Sequence, residues 1–192
     1  MVDLTMLLLV VGVIVVILGG MLYSCYVNVI KSKNQVLEAL SGIDVQLRKR
    51  YDLIPNILTI AQKFMEHEKE IFSKITELRT QAVNAKLGSK EKFAAENALD
   101  SEMKALMVNV ENYPTLKSDA TMVQAMQTYN EVEEHISAAR RFYNSALKEL
   151  KNAVEIFPSS LFAGSAGEVK NLSFYEADAV ARQPIKASDI LK

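Results

Sequence analysis

An imidazole beside a carboxylate is raw material for acid–base or metal chemistry. The sequence offers one such pair, His67-Glu68, and a second histidine, His135, close to Glu131 and Glu134. Neither develops into a site by its spacing. A zinc-protease helix needs a second His four residues after the first, and His67-Glu68 is followed by none. Di-metal sites in helical bundles use Glu-x-x-His, yet Phe64 and Val132 stand three residues before the two histidines. With Glu66 and Glu70 around one and Glu131 and Glu134 around the other, both histidines read as part of a solvated face. The sequence has no phosphate-cradling glycine loop and no nucleophile elbow. Two histidines and one cysteine, Cys25, are poor material for a nucleophilic triad. No metal or cofactor is implied, and the chain reads as no enzyme.

Charges inside apolar stripes are the stronger anomaly. Placing residues about 100° apart on a helix, Glu68 falls among Phe64, Ile71, Phe72 and Ile75, with Arg79 on the same side. Glu133 and Arg140 fall in the stripe of Tyr129, Ile136, Tyr143 and Leu147, and Asp44 lies between Leu37 and Tyr51 with Arg48 one turn on. In an up-and-down bundle these residues share a belt roughly 10–30 Å from one end, at about 1.5 Å per residue. An unpaired buried ion is costly, so a buried belt requires both signs, and both are there. The belt of Asp44, Arg48, Glu68, Arg79, Glu133 and Arg140 is expected to be an ion-pair network that sets helix register. The functional alternative is a site for a cation, a proton or a small ligand.

The elements that must position these residues begin with an anchor. From Leu4 to Val27 no side chain is charged, and about 20 apolar residues span a bilayer core of about 30 Å. Residues 1–27 therefore read as a transmembrane segment. The competing reading is a signal with lipidation at Cys25, after Leu22-Tyr23-Ser24. Against it stand an n-region without Lys or Arg and an apolar run longer than an h-region. All 22 Lys and Arg lie beyond residue 30, and only Asp3 of the 23 acids precedes it. The positive-inside rule then expects the N-terminus outside and the body in the cytosol. The body carries no net charge, which argues against nucleic acid.

Beyond the anchor, residues 28–157 read as a bundle of long helices joined by short turns. The first continues from the membrane to Pro55, which is expected to end or kink it. The second carries Ile57, Ala61, Phe64, Ile71, Ile75, Leu78 and Ala82 and stops near Gly88, with Ser89 capping the third. The third runs from Lys90 to about Asn112 and is weakly patterned, with Tyr113-Pro114 after it. The fourth, from about Thr121 to Ile156, is halted by Pro158. Residues 158–192 are small and polar and read as an irregular tail docked by Phe162, Phe174 and Tyr175. The fold class is all-α: one N-terminal transmembrane helix continuous with an up-and-down bundle of about four long helices, then that tail. On this reading Arg48-Lys49-Arg50 lies roughly 30 Å past the bilayer, beyond a screening length of about 8 Å. Lys49 then faces water, Arg50 the stripe edge and Arg48 its neighbour Asp44.

Several ordered motifs carry a resemblance: Ile43-Asp44-Val45-Gln46-Leu47, Arg50-Tyr51-Asp52-Leu53-Ile54-Pro55-Asn56, His67-Glu68, Glu111-Asn112-Tyr113-Pro114, Ala139-Arg140-Arg141-Phe142-Tyr143-Asn144 and Phe157-Pro158-Ser159. The chain resembles the LemA family of bacterial membrane-anchored helical proteins. The resemblance implies a helical bundle on one membrane helix, no established enzymatic activity, and a loose association with envelope maintenance and membrane proteases. It supplies no catalytic residues. The expected function is a non-enzymatic scaffold or adaptor, with lipid bound through residues 4–27, further copies of itself as partners, and a membrane protein or protease as another. The alternative is a ligand- or metal-responsive sensor built on the charge belt.

Overall fold

A computed structural model describes residues 4–176, and among these no strand occurs. The elements are α1 (Leu4–Gln62), α2 (Lys69–Asn84), α3 (Lys90–Val110), the single turn α4 (Pro114–Lys117) and α5 (Ala120–Glu155), then a 3-10 segment (Ser159–Asn171). The described residues form two compact units, 4–42 with 141–172, and 43–140 with 173–176, and α1 and α5 contribute to both. Residues 177–192, the rest of the expected tail, lie outside the described residues.

In the first unit, residues 4–24 of α1 are exposed on every side. Their mean hydropathy reaches 2.8 with no face buried, the pattern of a helix whose solvent is hydrocarbon. The first fully buried residue is Val29, and Ser32, Val36 and Ala39 continue its stripe at alternating threes and fours. From α5 the unit buries Tyr143, Ala146, Leu147, Leu150 and Ala153, and from the 3-10 segment Ala166. Lys33 Nζ donates to the Ser165 carbonyl at 3.2 Å, and the Tyr26 and Phe162 rings meet edge to face at 5.7 Å.

The second unit has the C-terminal part of α1, α2, α3 and the N-terminal part of α5 around its own core. α1 supplies Ile43, Leu47, Ile54, Ile57, Leu58 and Ala61, and α2 supplies Phe72, Ile75 and Ala82. Leu99, Met103 and Leu106 come from α3, and Met122, Tyr129 and Ile136 from α5. α2 packs along α3.

The expected break at Pro55 is overturned. α1 runs through the proline for seven more residues, and the turn falls at Lys63–Glu68, where Lys63 and Phe64 donate to the Ile60 and Ala61 carbonyls. Ile57 and Ala61 therefore belong to α1. Proline costs a helix interior about 3 kcal/mol, because the carbonyl four residues back loses its donor. Here that carbonyl is Tyr51's, and Arg79 Nε of α2 donates to it at 2.8 Å. Pro55 itself is exposed, while Ile54, Ile57, Leu58 and Ala61 keep the stripe buried across it. A tertiary donor and four apolar side chains thus override the local signal.

This arrangement predicts a coupled pair of effects. Arg79→Met should cost about 1–2 kcal/mol by leaving the Tyr51 carbonyl unsatisfied. In a Pro55→Ala background, where residue 55 regains its N–H, the same substitution should cost less than half as much. Urea unfolding of the four chains of the cycle measures this, and additive losses would dismiss the role given to Arg79.

The other breaks follow their local chemistry. α2 stops at Asn84, four residues before Gly88, which takes a φ of 80°. Ser89 Oγ then caps α3 by accepting from Lys92 N at 3.1 Å. Pro114 is the first residue of α4, where its missing N–H costs nothing. Asp119 caps α5 through Met122 N at 2.9 Å, and α5 is over before Pro158.

Candidate functional site

The most unusual chemistry lies inside the second unit. Arg50, fully buried, occupies the α1 stripe between Leu47 and Ile54. Its Nη1 donates to Glu133 Oε1 of α5 at 2.7 Å, and its Nη2 donates to Glu96 Oε2 of α3. The Arg50 and Glu96 side chains are both 0% exposed, and that of Glu133 is 22% exposed. Glu96 also accepts from the Tyr51 hydroxyl, which in turn accepts from Lys92 Nζ at 2.8 Å. Lys92 Nζ lies 3.3 Å from Glu96 Oε1 and donates to the Ala82 carbonyl in the last turn of α2. Two cations and two carboxylates therefore balance in a space where an isolated charge would be prohibitive.

Aromatic groups close the cluster. The Tyr175 ring lies 4.2 Å from that of Phe93 and receives the Arg140 guanidinium on its face at 4.1 Å. Arg140 Nε and Nη2 are buried with no hydrogen-bond partner among the described residues. Tyr129 is buried beside Arg50 and Glu133. Glu133 opens onto a groove lined by Asp100, Lys104, Tyr129, Ser137 and Arg140.

These surroundings lock protons in place. Burial works against charge on Arg50, but Glu133 and Glu96 outweigh it and hold the guanidinium protonated more firmly than usual. Burial pushes the Tyr51, Tyr129 and Tyr175 hydroxyls well above the ordinary phenol range, with the Glu96 and Glu133 carboxylates adding to the rise. What the arrangement does chemically is join α1, α3 and α5 through one arginine and anchor α2 through Lys92 and Arg79. Among the described residues, no group of three or more His, Cys, Asp and Glu side chains could hold a metal.

The predicted belt is only partly brought together. Glu133 joins the cluster, Arg79 reaches it through the Tyr51 carbonyl, and Arg140 flanks it on Tyr175. Among the described residues Asp44 and Arg48 pair with each other, at 2.8 Å near the surface, where such pairs contribute little. Glu68 is not in the belt: it is the residue before α2, and its carboxylate accepts from Tyr113 at 3.4 Å. Its displacement follows from the turn moving from Pro55 to Lys63–Glu68, which takes Glu68 out of the helix.

Sequence reasoning missed Arg50, Lys92 and Glu96. A signal for Arg50 existed, since Leu47, Arg50, Ile54, Ile57 and Ala61 step by three, four, three and four, which places arginine on the seam rather than its edge. Lys92 and Glu96 were hidden because they interrupt the stripe of Phe93, Leu99 and Met103 and make α3 look weakly amphipathic.

Comparison with known proteins finds relatives over most of the chain. The LemA family profile matches residues 39–188. The chain is 22% identical over 175 residues to Protein LemA of Metamycoplasma hominis, covering 89% of this chain and 80% of that protein. It is 24% identical over 170 residues to each of the magnetosome proteins MamQ 1 and MamQ 2 of Paramagnetospirillum magneticum, covering 76% of this chain. It spans 62% of the length of those two relatives.

Proposed function

Because the chain belongs to the LemA family, we propose that it is a non-enzymatic, membrane-anchored helical scaffold that associates with itself and organises other membrane proteins. The observation that carries this reading is the nature of its buried polar groups. Arg50 and Tyr51 of α1 pair with Lys92 and Glu96 of α3, and Glu133 of α5 and the Ala82 carbonyl of α2 complete the set, so these groups are engaged in joining four helices. An interior of that kind holds a surface in place. The apolar, fully exposed start of α1 keeps that surface at a membrane.

The cation asymmetry around the anchor supports an N-out, bundle-in orientation in a bacterial inner membrane. Protease added to intact spheroplasts should then leave the bundle whole and cut it only after the membrane is opened. Self-association and partner organisation are tested on the full chain by crosslinking in cells, gentle solubilisation, and mass determination with identification of what co-purifies. Defined oligomers with recurrent membrane-protein partners are expected. A monodisperse monomer with no companion protein would refute the scaffold reading.

A further inference from the structure

We propose that the chain has a second membrane contact: the junction of α5 and the 3-10 segment, through Ile156, Phe157 and Leu161, dips into the lipid surface beside the anchor. All the residues concerned belong to the first unit.

The bilayer boundary can be read from burial along α1. Every residue from 4 to 24 is exposed, and the first fully buried side chain is Val29. Protein packing therefore begins where the uncharged run Leu4–Val27 ends. Tyr26 sits at this boundary, the level at which amphipathic aromatic rings collect in membrane proteins. The Tyr26 ring meets Phe162 of the 3-10 segment at 5.7 Å and 71°, and Lys33 Nζ holds the Ser165 carbonyl at 3.2 Å. The segment is thus fastened beside the exit of the anchor helix.

At that place three large apolar side chains face outward. Ile156 is 60% exposed, Phe157 75% and Leu161 65%. Leu161 is the immediate neighbour of Phe162, and Ile156 and Phe157 lie in the turn between the end of α5 at Glu155 and the segment. A clustered apolar patch is a liability in water and marks a surface with a partner. Here the occupant is a lipid surface, because the patch is continuous with a membrane-crossing helix through the Tyr26–Phe162 contact. Coverage by a second copy of the chain is the competing outcome.

The chain has no tryptophan, so single tryptophans report without background. Full-length Phe157→Trp and Leu161→Trp, reconstituted in vesicles, are compared with Val108→Trp on exposed α3 and Val16→Trp inside the anchor. Lipids brominated near the glycerol backbone should quench the tryptophans of F157W and L161W at least about twofold more than that of V108W, with blue-shifted emission. Lipids brominated near the chain ends should favour V16W. Quenching of F157W and L161W no greater than V108W, with V16W quenched, overturns the contact while leaving the anchor intact. Blue-shifted but unquenched emission overturns it in favour of a protein covering. Failure of V16W to be quenched removes both the anchor and the contact that depends on it.

Discussion

Arg50→Met lowers the unfolding free energy of the chain by about 3–5 kcal/mol, the cost of stripping one partner from a buried ion pair. The size follows from what stays behind. Glu96, 0% exposed, loses the donor that bridged it to α5 and is left with Lys92 and the Tyr51 hydroxyl alone. Glu133, 22% exposed, can turn to solvent, so most of the penalty falls on Glu96. Lys49→Met, in the same Arg-Lys-Arg run but on the exposed face, should leave stability nearly unchanged. The doubly substituted Arg50→Met, Glu96→Leu chain removes both charges while Lys92 retains the Tyr51 hydroxyl and the Ala82 carbonyl. Its loss should fall short of the sum of the single losses by about 1–3 kcal/mol, the signature of a direct interaction. Urea unfolding of the full chain in detergent decides the matter, and an Arg50→Met effect as small as that of Lys49→Met would remove the cluster from the account of stability.

Alkali should unfold the protein in one steep step. Tyr51, Tyr129 and Tyr175 are held protonated well above the usual phenol range, first by burial and then by nearby carboxylates, and burial alone pushes Tyr143 up to about 12. The sign is fixed by which state gives up its protons first. Above about pH 10 the unfolded chain ionises its tyrosines and the folded chain does not, so the unfolded state binds fewer protons and stability falls as pH rises. The contribution is fully present below pH ~10 and drains away toward the folded values. Each buried tyrosine contributes up to about 1.4 kcal/mol per pH unit in that window, so four together contribute at most about 5.5 kcal/mol per unit. Helicity and tyrosinate absorbance should therefore change together between about pH 10 and 12. Tyr143→Phe should make the loss shallower by about one tyrosine's share. Tyrosinate appearing well before helicity is lost would show that these hydroxyls are not sheltered.

What the sequence by itself determined is the local part of this protein: the uncharged span that begins α1, the three- and four-residue spacing that makes every long element a helix, and the caps and breaks at Gly88, Ser89, Pro114 and Pro158. These depend on neighbours within a turn or two, and such neighbours are always present. The motif series also placed the chain in its family before any contact was known. Only the tertiary structure decided that Pro55 is crossed, because the donor for Tyr51's carbonyl comes from Arg79, 28 residues away. It alone decided which charges are inside. Arg50 finds Glu96 at a separation of 46 residues and Glu133 at 83, whereas Asp44 and Arg48, equally suggestive on a helical projection, satisfy each other on the surface. A helical projection tells which face a charge is on to within a residue's rotation. Whether that charge is buried depends on the opposite charge another helix brings to the same depth, and that is fixed only when the helices pack.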